Sequence, residues 1–358
     1  MRITIDATST LLRSAGVKSY TVHWVRHLQK LAEIQCFPYL RELGPLNHDA
    51  SMLPLPATLS RLALVFAINH TGPFLLDRVL GGADVFHCSN MTRQVPTRAK
   101  LTGTIHDLTG FLMPELHTAG NIRADHNFAE RILRRAHGLI AVSENTRQDA
   151  IRYLRVPPEQ ITTIYSGIAE HYFDAQHFDA QPAKRSRPYV LYVGTIEPRK
   201  NLDTLLDAWK QLKVEHELVI AGPAGWGSEK TLARIRQEAF YLGYVPETDM
   251  PGLIAGATAF VYPSLYEGFG FPVVQAMAAG TPVVTSNTSC LPEIAGEAAV
   301  LVDPRSPAEI SGGIKRLLES ESLRTDLIAR GHVRAQRYRW ETCAAQSLEF
   351  FRRVTSPA

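Results

Sequence analysis

The chain has 358 residues, 45% of them hydrophobic and 20% charged. That is enough apolar material for a sizeable core and excludes a disordered chain. The 38 Lys and Arg against 35 Asp and Glu leave a net charge of +3, which excludes a nucleic-acid binder driven by bulk charge. The length predicts two domains.

In chain order, short β-branched and aromatic runs predict strands at 2–6 (RITID), 34–39, 84–87, 101–105, 138–142 and 161–165. Amphipathic stretches at 17–31, 121–136 and 144–154 predict helices between them, the last with cap chemistry from Ser143 and Asn145. Residues 174–188 (DAQHFDAQPAKRSRP) lack apolar periodicity and carry two prolines and a basic cluster, so they read as an interdomain linker. The alternation then restarts, with strands at 189–194, 217–222, 259–263, 282–286 and 299–303 and helices at 201–212, 228–238, 271–279, 306–320 and 322–337. A last helix over 340–354 puts Trp340, Ala344, Leu348 and Phe351 on one stripe. Two successive rounds of strand–helix alternation predict an α/β protein built from two Rossmann-like lobes across a cleft.

Cys36, Cys88, Cys290 and Cys343 lie far apart and never as CxxC, so neither a zinc ribbon nor a disulfide framework is expected. The opening MRITIDATSTLLRSAG has no apolar core of a signal peptide, and the run at 62–68 (LALVFAI) falls far short of a bilayer span. A cytoplasmic protein is expected, with peripheral membrane contact left open. Seven arginines between 123 and 155 face only four acids. They read first as a solvated, acid-paired helical face and second as a contact for anionic lipid.

The turn after the first strand has Gly16 as its only glycine, and no G-x-G-x-x-G or P-loop is present. Dinucleotide chemistry is therefore disfavoured. The informative stretch is 262–280, YPSLYEGFGFPVVQAMAAG. There a strand ends, a loop carries Glu267, Gly268 and Gly270, and a helix opens at Pro272. Glycines at a helix N-terminus let backbone N–H groups approach a phosphate. A carboxylate in that loop suits sugar hydroxyls, while Gln275 lies a turn into the helix. A second cluster, YVGTIEPRKN, ends a strand at Gly194 and presents Arg199 and Lys200 just before a helix that Asn201 can cap. Two such cations suit a diphosphate. The bland alternative is a solvated basic loop.

Taken in order, EGFGFPVVQAMAAG, GTIEPRKN, GYVPETDMPGLIAGATAFVYPS, TSNTSCLPEIAGEAAVLVDP, His106-Asp107, AVSENTRQD and SAGVKSY resemble the retaining glycosyltransferases of family 4. The resemblance implies the GT-B fold, two Rossmann-like doubly wound domains facing a cleft. An acceptor domain would span 1–173, with the helix of 340–358 crossing back to it, and a donor domain would span 189–339 beyond the 174–188 linker. It implies metal-independent, retaining transfer of a hexose from a nucleotide-diphosphate sugar to a glycan or lipid-linked acceptor, with no cofactor and no nucleic-acid partner. On this resemblance Arg199 and Lys200 stabilise the leaving diphosphate, Glu267 meets the transferred sugar and His106 approaches it from the first domain. Donor binding falls to Gly16, Gly194, Val245, Gly268, Phe269, Gly270, Gln275 and Ser289. GTIEPRKN is similar to the version in many mannosyltransferases, so GDP-mannose is the expected donor, with a UDP-sugar as the alternative. An epimerase and an inactive nucleotide-binding homologue are the rival readings. The second position of the family's Glu-x7-Glu is Gln275 here, which keeps hydrogen-bonding capacity for a ribose but loses the charge that strengthens it. His106 could equally be a structural histidine.

Overall fold

The computed structural model describes residues 1–12, 16–38, 46, 50–89, 91–175 and 187–356. The chain divides into two compact units, Met1–Gly167 with Trp340–Ala358, and Ile168–Arg339. The chain passes from the first unit to the second after Gly167. A Cβ on Gly167 would overlap the Trp340 backbone, so the chain leaves and re-enters the first unit at one tight crossing. Just beyond it, Ile168 bridges Arg339 within the second unit. Most of the expected linker, 176–186, lies outside the described residues, as do 13–15 of the first turn.

The first unit is built on β1 (Ile3–Asp6), β2 (Ile34–Phe37), β3 (Val85–Cys88), β4 (Lys100–Ile105), β5 (Gly138–Ala141) and β6 (Ile161–Thr163). They form one parallel sheet in the order β2-β1-β3-β4-β5-β6. Strands buried on both faces explain the continuous apolar runs that made them readable. Helices α1 (Gly16–Gln29), α2 (Leu55–Thr71), α3 (Pro73–Leu80), α4 (Thr109–Leu112), α5 (Ala119–Arg131) and α6 (Glu144–Asp149) alternate with them. Ser143 caps α6 by accepting from Thr146 N at 3.1 Å. Asn145 takes no part in that cap and instead donates to Asp149. The final helix α14 (Trp340–Thr355) buries its predicted stripe of Trp340, Ala344, Leu348 and Phe351. It is pinned to α1 by the Trp24 indole donating to Ser347 Oγ at 2.9 Å. Burying each large apolar side chain on that seam is worth roughly 1.5–3 kcal/mol.

The second unit repeats the plan with β7 (Tyr189–Val193), β8 (Glu217–Ala221), β9 (Phe240–Gly243), β10 (Ala259–Tyr262), β11 (Val283–Ser286) and β12 (Ala299–Val302). Its order is β12-β11-β10-β7-β8-β9, again parallel. Around it lie α7 (Leu202–Trp209), α8 (Glu229–Glu238), α9 (Met250–Ala255), α10 (Phe271–Ala278), α11 (Leu291–Ala295), α12 (Pro307–Glu319) and α13 (Glu321–Ala335). Strand order reverses between β1 and β3 in the first sheet and between β7 and β10 in the second. At such a reversal the following connections diverge to opposite sides, leaving a crevice at the strands' carboxyl ends.

Candidate active site

Both chemistry-bearing motifs of the second unit end at its strand reversal. β7 runs through Gly194 into a single 3-10 turn, Pro198–Lys200, and β10 runs into the loop carrying Glu267. Adjacent parallel strands β7 and β10 thus bring together residues far apart in sequence. Arg199 and Lys200 are each 9% exposed and Glu267 is 7%, so the reading of a solvated basic loop is corrected. Asn201 is corrected too. It sits in the left-handed region at φ 62°, makes no side-chain cap, and donates to the carbonyls of Pro263 and Pro304 at 2.9 and 2.6 Å. Those bonds lock the cation turn to the loop after β10.

The cluster is tightly paired. Lys200 Nζ donates to Glu267 Oε1 at 2.6 Å and to the Tyr262 hydroxyl at 2.7 Å. Arg199 Nη1 lies 3.0 Å from Glu267 Oε2, and its Nη2 donates to Glu197 Oε1 at 2.6 Å. Oε1 of Glu267 also receives Ser264 Oγ at 2.6 Å and the Tyr262 hydroxyl at 3.0 Å. Burial alone would raise the Glu267 carboxyl. Arg199, Lys200 and the Lys200 and Ser264 hydrogen bonds outweigh it and hold the group down to about 2. Burial and then Arg199 pull the Lys200 ammonium below its usual range, against the opposing pull of Glu267 and Glu197. Burial raises Glu197 despite Arg199 and Lys200, and it lifts the Tyr262 phenol well above its ordinary value, with Glu267 adding to the effect. The Tyr262 hydroxyl therefore stays a donor.

Beside this cluster, Gly270 precedes α10 with φ +87°, and a Cβ there would press within 2.8 Å of Leu291 Cδ2. Only glycine suits that turn. Pro272 occupies the first turn of α10, Phe269 is buried, and Gln275 is half-buried on the next turn. Ser289, at φ 58°, accepts from Glu267 N at 2.9 Å and donates to Glu267 O at 2.6 Å. It therefore shapes the Glu267 loop. Gly194, Gly222 and Gly243 close the carboxyl ends of β7, β8 and β9. Gly222 N donates to Gly243 O at 2.7 Å, and a Cβ on Gly222 would collide with the Gly194 carbonyl. Val245 is buried just past this rim. Glu197, Tyr262 and Ser264 are partners that motif reading quoted without assigning. Their signal was their position at strand ends beside the named cations and carboxylate.

In the first unit the strand reversal holds a cavity of about 210 Å³ lined by His106, Asp107, Tyr20, Thr104, Asp125 and Phe111, among others. Asp6, buried at the end of β1, accepts from Thr8, Ser89 and Thr92, which ties β1 to the segment after β3 and shapes the cavity floor. His106 stands edge-on to Tyr20, with ring centroids 4.8 Å apart. Burial lowers it to about 4, only partly offset by Asp107, so it is neutral at ordinary pH and faces a cavity rather than a closed core. Gly16 starts α1 at an exposed position, with open space where a Cβ would stand. The second unit's cluster thus gathers Arg199, Lys200, Glu267 and Ser289, whereas His106 and Gly16 belong to the other unit.

All four cysteines are buried free thiols. Among the described residues, no group of three His, Cys, Asp or Glu side chains is arranged to hold a metal ion. No described helix is long and apolar enough to cross a membrane.

Two family models match the chain, "Glycosyltransferase Family 4" over residues 14–171 and "Glycosyl transferases group 1" over 174–334. O-antigen chain mannosyltransferase B of Escherichia coli is 35% identical over 263 residues, covering 70% of this chain and 69% of that one. The serotype-specific mannosyltransferase WbdA of Escherichia coli is 27% identical over 297 residues, but the match covers only 36% of that longer protein. Among solved structures, sucrose-phosphate synthase from Thermosynechococcus elongatus superposes with a TM-score of 0.77 at 20% identity, over 99% of this chain and 98% of that one. Anabaena Alr3699/HepE in complex with UDP-glucose gives a TM-score of 0.73 at 19% identity, over 98% and 99%. These likenesses carry the fold, and that fold is GT-B.

Proposed function

The chain belongs to glycosyltransferase family 4, and from that membership we propose that it is a retaining hexosyltransferase, using GDP-mannose as donor and a glycan or lipid-linked glycan as acceptor. The observation that carries the reading is the buried Arg199–Lys200–Glu267 cluster beside the start of α10. When a sugar leaves a nucleoside diphosphate, negative charge develops on the diphosphate. Preorganised cations and helix-end N–H groups in a water-poor site stabilise that charge without reorganising. Arg199 offers a planar fork and Lys200 a point charge for this task. Glu267, ionised down to about pH 2, is an acceptor for sugar hydroxyls through Oε2. Ser264, Tyr262 and Ser289 hold it in place.

In the family's front-face route a phosphate oxygen takes the acceptor's proton, so the protein need supply no separate base and no metal. His106 keeps its proposed contact with the transferred sugar as a neutral imidazole. Gly194, Val245, Gly268, Phe269, Gly270 and Gln275 keep their donor-binding roles, as does Gly16. Mannose is preferred because both mannosyltransferase relatives above bear that name and because of the GTIEPRKN motif.

The test is a thermal-shift panel of GDP, GDP-mannose, UDP and UDP-glucose with EDTA present, since a ligand of the folded state raises its stability. Selective stabilisation by the GDP compounds supports the mannosyl donor. Selective stabilisation by UDP compounds replaces that donor and keeps the reaction class. Product analysis with and without an acceptor then separates transfer from epimerisation.

A further inference from the structure

The cavity at the strand reversal of the first unit holds more chemistry than the transfer reading uses, which takes from its lining His106 alone. Asp125, on α5, is half-buried and lines this cavity. It packs so closely on α4 that a Cβ on Gly110 would overlap its carboxylate, so glycine at 110 lets Asp125 stand where it does. Asp107, just past β4, accepts from Thr109 N at 3.1 Å and from the Thr109 hydroxyl at 2.8 Å. Both bonds fall on Oδ1 and leave Oδ2 open. Among the described residues, no hydrogen-bond donor or cation meets the Asp125 carboxyl. Burial, and then the Asp107 carboxylate, raise it to about 6, so the two carboxyls stand close enough to repel each other.

The rest of the lining tells which ligand relieves them. Tyr20 is 2% exposed, and its hydroxyl has no hydrogen-bond partner among the described residues. The Thr104 hydroxyl near it is bonded to His87 Nε2 at 2.9 Å. A buried hydroxyl left unmet costs stability until a ligand or water pairs with it. Phe111 adds an aromatic wall, its ring braced by His126 at a centroid distance of 4.1 Å. No lysine or arginine is among the described lining residues, and burial keeps His87 and His106 neutral, at about 3 and about 4. An anion would therefore enter beside two carboxyls with no cation to pair it. Hydroxyl donors relieve the carboxyls, and the apolar face of a sugar ring suits the aromatic wall. A cavity of about 150 Å³ takes a benzene ring, and this one, at about 210 Å³, takes one pyranose.

We propose that this cavity selects an acceptor whose terminal residue is an uncharged pyranose, with Asp125 as the specificity-determining residue. Asp125 and Asp107 Oδ2 accept from ring hydroxyls, Tyr20 supplies a donor, and Phe111 lies on the apolar face of the ring. A terminal residue carrying phosphate or a carboxylate is excluded by the same two carboxyls. This inference rests on the reading of the chain as a sugar transferase and adds the chemistry of the acceptor to it. It does not depend on which nucleotide carries the donor.

The experiment is saturation-transfer NMR of the full chain at neutral pH, with methyl α-mannopyranoside as the probe, EDTA present and no nucleotide. The mannoside binds, and neither mannose 6-phosphate nor glucuronate displaces it. Asp125→Asn melts no lower than wild type, because it removes a repelled carboxyl, and it weakens the mannoside about tenfold, the order expected when a charged hydrogen bond is lost. Gly110→Ala pushes the same carboxyl aside without changing its charge and weakens the mannoside likewise. GDP-mannose affinity, read by titration calorimetry, is equal in wild type and Asp125→Asn. A wild-type chain that does not bind the mannoside, an Asp125→Asn variant that binds it like wild type, or an acidic sugar that competes as well as a neutral one overturns the proposal. Displacement of the mannoside by GDP-mannose gives the cavity to the transferred sugar and overturns it as well. The thermal shifts with GDP and UDP compounds need no acceptor, so the transfer reading stands or falls on them separately.

Discussion

Replacing Lys200 with Met removes a cation from a site where its partner cannot leave. Glu267 is 7% exposed and held at about 2 against an ordinary 4.5, a shift that corresponds to about 3 kcal/mol at about 1.4 kcal/mol per unit. That shift belongs to Arg199 first and to Lys200 second, and burial lowers the Lys200 ammonium itself. It therefore bounds the Lys200 share from above, at the low end of the about 3–5 kcal/mol that removing one member of a buried pair typically costs. For a unit of this size each kcal/mol moves the melting temperature by about 2–4 °C, which predicts a fall of about 6–12 °C at pH 7 by calorimetry. The sign of the pH dependence follows from the depressed carboxyl. Its stabilisation is complete above the unfolded value near 4.5 and is lost as pH falls through about 2. The gap between wild type and Lys200→Met should hold constant from neutral pH down to the unfolded carboxyl value, then narrow. Turnover should fall by about 10²–10³ on any accepted nucleotide sugar, because the diphosphate is common to all. The double variant Lys200→Met with Glu267→Gln leaves Arg199 paired with Glu197. It should recover most of the lost stability and none of the activity. A single variant that melts like wild type, or a double variant as unstable as the sum of the singles, refutes the buried-pair account.

Three further outcomes follow from the geometry. Gln275→Glu restores a charged acceptor on α10 and should tighten nucleoside-diphosphate binding severalfold by calorimetric titration; unchanged affinity removes Gln275 from the nucleotide site. His87, buried between Thr102 and Thr104 at 3.0 and 2.9 Å, is lowered to about 3 by burial and then by His106. Its unfolded form takes the proton first, so the first unit should lose about 4 kcal/mol as pH falls from about 6.5 to 3. His87→Gln should flatten that slope in melting curves, and an unchanged slope places the acid sensitivity elsewhere. Gly222→Ala sets a methyl against the Gly194 carbonyl at φ +143°. Far-ultraviolet circular dichroism of this variant should show a chain that folds poorly, and near-wild-type melting would contradict the close approach of β7 and β8.

Much of the fold was readable because parallel strands buried on both faces carry unbroken apolar runs, as YVLYV and VVTS do here. The failures have physical causes. Strand β9 (FYLG) is half-exposed at the sheet edge, so it lacks that run and reads as loop. Helix α2 broke the expected period because its outer face is apolar where a surface helix is usually polar. The residue types of the site were also readable, since glycine, proline and cations sit together at strand–helix turns. Their mutual partners were not. Lys200 meets Glu267 only because β7 neighbours β10, and no local spacing encodes that adjacency. The same holds for Asp6, whose partners Ser89 and Thr92 come from the segment after β3.

The cluster holds two cations, Arg199 and Lys200, and two carboxylates, Glu197 and Glu267. It is not a positive patch waiting for an anion. For the proposed reaction, a diphosphate would have to exchange with a carboxylate for the cations, because leaving either charge unpaired in a buried site is costly. On the same proposal, the positive end of the α10 dipole adds attraction for the incoming charge. Arg199 or Lys200 would turn to phosphate and Glu267 would be released toward sugar hydroxyls, with Ser264 and Tyr262 still bonded to its Oε1. On this proposal one residue, paired with both cations in the structure, would release them to phosphate and turn to the sugar. Glu267→Gln should then bind bare nucleoside diphosphate at least as tightly as wild type, since the competing carboxylate is gone, while transfer falls by about 10²-fold or more. Titration calorimetry beside turnover reads the two separately. Equal losses in both would place Glu267 on the nucleotide or in the framework of the fold, and the exchange would be wrong.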